Sequence, residues 1–174
     1  MSAANLASNN VFKPLSLCVL TVSDSRTADN DTSGDYLCDA LRDAGHRLHE
    51  RAIVRDDKYA MRALVSRWIA EDGVDGIIVT GGTGFTGRDS TPEALLPLLD
   101  KQMPGFGELF RAISFEEIGT STLQSRAFAG LANATFLFAL PGSHRPAAPA
   151  GTGSSPRNWM HAPSPATSPT CAHA

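Results

Sequence analysis

The strongest constraint on this chain is a rhythm of short, unbroken apolar runs separated by segments with helical spacing. Leu15 to Val22 (LSLCVLTV), Gly76 to Thr80 (GIIVT) and Ala134 to Leu140 (ATFLFAL) are such runs. A strand covered on one face alternates apolar and polar residues, whereas a strand covered on both faces is apolar throughout. Between these runs, Leu37, Ala40, Leu41 and Ala44 fall at i, i+3, i+4 and i+7, with Gly45 behind them as a C-terminal stop. Met61, Leu64, Val65, Trp68 and Ile69 mark a second amphipathic helix, and His46 to Val54 predicts another strand. Strands alternating with helices predict an α/β fold, a three-layer α/β/α sandwich around a mostly parallel sheet.

The second half of the pattern is less regular. Thr91-Pro92-Glu93 predicts a helix start, with Thr as the cap and Pro at the first position. Pro104-Gly105-Phe106-Gly107 predicts a break, followed by a helix from Glu108 to Ile118 and a further helix from Thr120 to Leu131. Within Glu108 to Ile118, Glu108 and Arg111 read as an exposed ion pair.

Composition shifts at one place. Residues 144–174 hold 6 Pro, 7 Ala, 4 Ser, 3 Thr and 2 Gly, and no Ile, Leu, Val, Phe or Tyr. Such a stretch buries too little apolar surface to offset its ordering entropy. The expected organisation is a flexible N-terminus at 1–11, a folded domain at 12–143 and a disordered tail at 144–174. A net charge of −3 argues against nucleic acid as a partner. No apolar run approaches the ~20 residues of a membrane span, and residues 1–10 show no secretory pattern. Three cysteines without a CxxC spacing fit a reducing compartment. The expected location is the cytoplasm.

The chemistry concentrates where strands end. Gly76 to Thr80 runs directly into TGGTGFTGRDSTPE, in which Gly81, Gly82, Gly84 and Gly87 let backbone N–H groups approach an anion closely. The loop lacks the Gly-Lys-[Ser/Thr] of a Walker A sequence. Asp89 inside it reads either as a Mg²⁺ contact or substrate-positioning group, or as a cap for the helix at Thr91. Asp56 and Asp57, ahead of the second helix, carry the same two readings, with capping favoured. Asp24, at the end of the first strand, reads as a functional carboxylate or an Asx turn. Ligands of parallel sheets sit beyond the carboxyl ends of the strands. The turns Ser23-Asp24-Ser25, Gly81 to Asp89 and Pro141-Gly142-Ser143 are therefore expected to meet.

TVSDSR, TSG, TGGTGxxxRDxTPEAL, PGFGELFR, FEEIGTSTLQSRA and ALPGS together resemble the MoaB/Mog family of molybdenum cofactor biosynthesis proteins, over residues 12 to 143. IGTSTLQSRA resembles the MoaB branch in particular. The resemblance implies molybdopterin as ligand, a pterin carrying a dithiolene and a phosphate. In active members it implies adenylylation of that phosphate with Mg-ATP. It also implies a homotrimer or homohexamer. By resemblance, Asp89 and Asp56 are the catalytic carboxylates, with Asp57 the fallback for Asp56 and Mg²⁺ at Asp89. Gly81, Gly82, Thr83 and Gly84 form the phosphate loop, Arg88 precedes the aspartate, Ser23 and Asp24 edge the pocket, and Pro141, Gly142 and Ser143 lie beside the pterin. A non-catalytic molybdopterin-binding or scaffold protein of the same pathway stays open as the alternative. Beyond Ser143 the chain leaves the family's pattern, where a long helix is expected. Shifting the back-translated sequence of 151–174 by one base restores a helical apolar spacing, so a reading-frame shift is the expected origin of the tail.

Overall fold

A computed structural model describes residues 12–142. The expectations for 1–11, for Ser143 and for 144–174 lie outside the described residues. The elements are β1 (Ser16–Val22), α1 (Thr32–Asp43), β2 (Arg47–Val54), α2 (Lys58–Ala70), β3 (Gly76–Thr80), α3 (Thr91–Leu95), β4 (Lys101–Gln102), α4 (Pro104–Ile118), β5 (Phe128–Ala132) and β6 (Thr135–Leu140), with 3-10 turns at Leu96–Leu98 and Gly119–Gln124. The sheet order is β2-β1-β3-β6-β5-β4. β2, β1, β3 and β6 run parallel, whereas β5 pairs antiparallel with β6 and β4 pairs antiparallel with β5.

The period-2 geometry of strands sorts each apolar run onto two faces. Cys18, Leu20 and Val22 of β1 join Ile77, Val79, Leu137 and Ala139 on one face, against Met61, Val65 and Trp68 of α2 and Ala94 and Leu95 of α3. Val19, Ile78 and Leu140 point the other way, against Leu37, Cys38 and Leu41 of α1, with Phe106 and Phe110 of α4 beside them. This is the three-layer sandwich the sequence predicts. Each large side chain buried in these layers stabilises the fold by roughly 1.5–3 kcal/mol. Burial also pushes the Cys18 thiol up to about 12, so it stays protonated and acts as a small apolar residue.

Helix ends follow local chemistry. Asp57 caps α2, its carboxylate accepting from the Tyr59 and Ala60 N–H groups at 2.9 and 2.8 Å. Asp57→Ala is expected to cost ~1 kcal/mol, the usual worth of an N-cap. Urea unfolding of variant and wild type, with equal slopes and shifted midpoints, checks this.

Two predicted elements are corrected. Pro104 to Gly107 does not break the chain but forms the first turn of α4, because Pro is preorganised for a helix start and its missing N–H is unpaired there anyway. Gly107 sits inside that helix for a packing reason: a Cβ there would lie 2.6 Å from the Ala127 carbonyl oxygen. Thr120 to Leu131 is not a helix either. It divides into the 3-10 turn Gly119–Gln124 and the strand β5. β5 joins β6 through Asn133 and Ala134, both with left-handed φ, at +45° and +65°. The Asn133 side chain donates to the Ile69 carbonyl at 2.9 Å and its N–H donates to Asp100 at 2.7 Å. These bonds hold a turn that a Gly would ordinarily occupy. Glu108 and Arg111 form no ion pair across their helical turn. Arg111 donates instead to the Ser125 carbonyl at 3.4 Å.

Candidate functional site

The turns following β1, β3 and β6 meet, as the topology requires. They enclose a cleft of about 440 Å³, lined by Thr21 to Ser23, Arg26, Asp31, Ser33, Thr80 to Gly84, Asp89, Pro141 and Gly142. The glycine loop folds back sharply at its start. Gly81 and Gly82 have φ of +104° and +62°. A Cβ on Gly81 would sit 2.2 Å from the Val22 carbonyl oxygen, and one on Gly82 would sit 2.4 Å from the Thr91 hydroxyl. Only glycine fits at either position.

Thr91 does not cap α3. It is fully buried, and its hydroxyl donates to the Gly81 carbonyl at 2.9 Å, closing the loop on itself. α3 is only five residues long, so the macrodipole expected behind the loop is small. The anion-binding capacity of the cleft rests on loop N–H groups and side-chain donors instead.

The three aspartates left open by the sequence separate. Asp57 is the cap. Asp56 turns to the glycine loop, where its Oδ1 accepts from the Ser90 N–H at 3.1 Å and from the Ser90 hydroxyl at 2.5 Å. Asp56 does not itself line the cleft. Asp89 lines the cleft and caps nothing: its Oδ2 accepts from the Thr86 N–H at 2.9 Å and from the Thr86 hydroxyl at 2.6 Å. Asp24 pairs with Arg88 across the outer side of the two loops, and neither residue lines the cleft. Ser23 lines it, with its hydroxyl accepting from the Ser25 and Arg26 N–H groups at 3.3 and 3.2 Å. Pro141 and Gly142 form the third wall, where the Ser33 hydroxyl donates to the Gly142 carbonyl at 3.2 Å. Ser143 lies outside the described residues.

A charged wall of this cleft escaped the sequence reading. Asp31 is 0% exposed and N-caps α1, accepting from the Gly34 N–H at 3.0 Å. The Thr21 hydroxyl donates to it at 2.7 Å and Arg51 Nη2 donates at 2.9 Å. Burial pushes its pKa upward, but the Arg51 guanidinium, the Thr21 hydroxyl and the Gly34 N–H outweigh that and hold it below the ordinary carboxylate value. A Cβ on Gly34 would fall 2.1 Å from this carboxylate. The clue in the sequence was an Asp placed three residues before a Gly at the head of an amphipathic helix.

One atom in the cleft asks for a partner. The Thr83 hydroxyl is buried and unpaired, alone among buried side-chain N and O atoms of the described residues. Buried polar groups are nearly always satisfied, so an orphan on a residue that lines a cleft points to a ligand or water. Beside it, a Cβ on Gly84 would lie 2.7 Å from Asp89 Oδ2, so the loop backbone and this carboxylate already touch. No cluster of three or more His, Cys, Asp or Glu side chains occurs among the described residues. Mg²⁺ commonly needs only one or two carboxylates plus substrate phosphates, and Asp89 in an anion-accepting cleft fits that mode. A second hollow of about 420 Å³ adjoins the first, sharing Gly84 and Pro141 and reaching Phe110, Ser114 and Thr122.

Fold and cleft define an α/β protein with an anion cradle beyond its parallel strand ends. Residues 18–152 match the family described as "Probable molybdopterin binding domain", and the chain belongs to that family of molybdenum cofactor biosynthesis proteins. It is 58% identical over 132 residues to the molybdenum cofactor biosynthesis protein B of Escherichia coli (strain K12), covering 76% of this chain and 78% of the relative. A solved structure of a molybdenum cofactor biosynthesis protein B superposes with a TM-score of 0.73 at 43% identity, over 75% of this chain and 82% of the other. The tungsten cofactor synthesizing protein MoaB from Pyrococcus furiosus gives a TM-score of 0.68 at 37% identity, over 76% and 85%. Among the described residues no helix is long and apolar enough to cross a membrane.

Proposed function

We propose that this protein binds molybdopterin in the cleft and adenylylates its phosphate with Mg-ATP, working in the cytoplasm as a homotrimer or homohexamer. The observation that carries this reading is the orphaned Thr83 hydroxyl. It lies buried in a glycine-rich cleft that also holds Asp89, with Asp56 fixed to the same loop. A phosphate placed there accepts from Thr83 and from loop N–H groups, and Ser23 and Arg26 stand at the pocket edge. The adjoining hollow gives a bulky heterocycle a place next to its phosphate. Oligomerisation is supported by Leu109, Ile113, Phe115, Ile118 and Leu123, large apolar side chains that stay exposed on α4 and the turn after it.

In this reaction the molybdopterin phosphate oxygen bonds to the α-phosphorus of ATP, and the bond to pyrophosphate breaks. The protein's work is positioning and charge stabilisation. Bound Mg²⁺, held by Asp89 with the phosphates, would supply neutralisation of the charge that develops on transfer. The glycine loop orients the nucleophilic phosphate through N–H donors. Asp56 holds Ser90 and so fixes the C-terminal end of the loop, next to Asp89.

The test is pyrophosphate release from Mg-ATP, measured with and without molybdopterin. Release that depends on molybdopterin supports the enzyme. Tight molybdopterin binding without release would make the protein a non-catalytic binding or scaffold member of the pathway.

A further inference from the structure

We infer that Arg126 is the positioning residue that gives the glycine loop its binding shape. This rests on the proposed role of that loop as a phosphate cradle. Arg126 enters from the segment between the 3-10 turn and β5, far from the loop in sequence. Its backbone N–H donates to the Thr83 carbonyl at 2.9 Å. Its side chain then grips the same loop at two further points. Nε donates to the Gly84 carbonyl at 2.7 Å, and Nη2 donates to the Asp89 carbonyl at 2.7 Å. Nη1 pairs with Glu93 on α3, and the guanidinium lies 5.9 Å from the centre of the exposed Phe85 ring.

This arrangement controls amide direction. A trans peptide is planar, so a carbonyl held on one side sends the next residue's N–H to the opposite side. Holding the carbonyls of Thr83, Gly84 and Asp89 toward Arg126 therefore turns the N–H groups of Gly84, Phe85 and Ser90 away from it. The Ser90 N–H shows the result, since it donates to Asp56. Gly84 and Asp89 both line the cleft, so the span Arg126 closes is the part of the loop that faces a ligand. The task suits a guanidinium, which offers several donors in a rigid planar fork, and does not suit an ammonium. A loop this rich in glycine has little stiffness of its own, and the grip supplies what the sequence of the loop lacks.

The test compares Arg126→Lys and Arg126→Ala with the wild type by hydrogen exchange and by binding of molybdopterin. Exchange at the Thr86, Asp89 and Ser90 amides is expected to speed by about tenfold or more in both variants, the scale of losing hydrogen bonds to a charged donor. Amides of β1, β3 and β6 should stay as in the wild type. Molybdopterin affinity should fall by a similar factor, and millimolar guanidinium ion should restore part of it in Arg126→Ala. Wild-type exchange in the loop of Arg126→Lys would overturn the inference, because charge alone would then suffice. Exchange that rises across the whole sheet would also overturn it, by making Arg126 a general structural residue. If Arg126→Ala does not fold, Arg126→Lys decides the exchange arm. Failure of the wild type to bind molybdopterin sinks the phosphate-cradle reading, and the exchange data then decide the positioning claim separately.

Discussion

Asp89→Ala should lower molybdopterin-dependent pyrophosphate release by ~10²- to 10³-fold while leaving molybdopterin affinity within about threefold of the wild type, as expected of a group that acts mainly on transition-state charge. The carboxylate stands in the cleft with Oδ2 committed to Thr86. Alanine removes the charge and also unties Thr86, so Asp89→Asn is the necessary companion. Its amide oxygen still accepts from the Thr86 N–H and preserves the turn, but it has no net charge to hold a cation. Steady-state kinetics on both variants, with molybdopterin binding by calorimetry, separates the two contributions. If turnover and affinity fall equally, Asp89 is a binding or folding element and the proposed chemistry belongs elsewhere.

Asp31→Ala should destabilise the fold by ~2–4 kcal/mol, from the loss of an N-cap together with hydrogen bonds to a buried charged acceptor. That is a large part of a typical total of ~5–15 kcal/mol, and for a domain of this size it should lower the melting temperature by ~10 °C or more. The reason is the set of groups left behind: the Thr21 hydroxyl and the Gly34 N–H would lose this acceptor, and Arg51 would keep only the exposed Asp35 carboxylate and the main-chain carbonyl of residue 31. The pH dependence has a defined sign. The native pKa of Asp31 is lowered, so the stability it contributes is present in full above the unfolded-state value near ~3.9. It is lost as the pH falls through the native value. Scanning calorimetry should show the gap between wild type and Asp31→Ala widest near neutrality and narrowing in acid. A constant gap down to the acid limb would mean that the carboxylate's charge contributes nothing.

The parallel half of the sheet was legible because physics writes it plainly: a strand buried on both faces must be apolar throughout, and β1, β3 and β6 are. The antiparallel half was hidden for equally definite reasons. β5 reads Phe-Ala-Gly-Leu-Ala, and its small residues have no strand preference. Its identity comes from β6 beside it and from close packing: a Cβ on Gly130 would lie 2.4 Å from the Lys101 carbonyl oxygen. The Asn133-Ala134 turn gave no signal because it holds no glycine: Ala134 is left-handed, and the turn is fixed by the bonds of Asn133 to Ile69 and Asp100. At the site, the loops that meet and the glycines that shape them were readable from strand ends. Which of Asp56 and Asp57 faces the loop was not readable from local spacing, and only the family resemblance favoured Asp56. The residues are neighbours on one turn, and only the direction in which β2 delivers them decides which one caps α2. Asp31 and Arg126 act through partners 20 and 42 residues distant, and local spacing carries no trace of such pairings.

The glycine loop is held from two sides, by Asp56 at a sequence distance of 34 and by Arg126 at distances of 37 and 42. Contacts between distant residues must close long stretches of chain before they return any energy. The loop therefore takes its final form only when both flanks are in place. It must wait until β2 has docked on one flank and the segment leading into β5 has arrived on the other. During synthesis the residues of β1, β2 and β3 are made before Arg126, so the loop lacks that grip until the segment leading into β5 follows. The binding cleft is thus a late product of assembly, and ligand affinity reports on whether the whole sheet, including its least conspicuous strands, has come together.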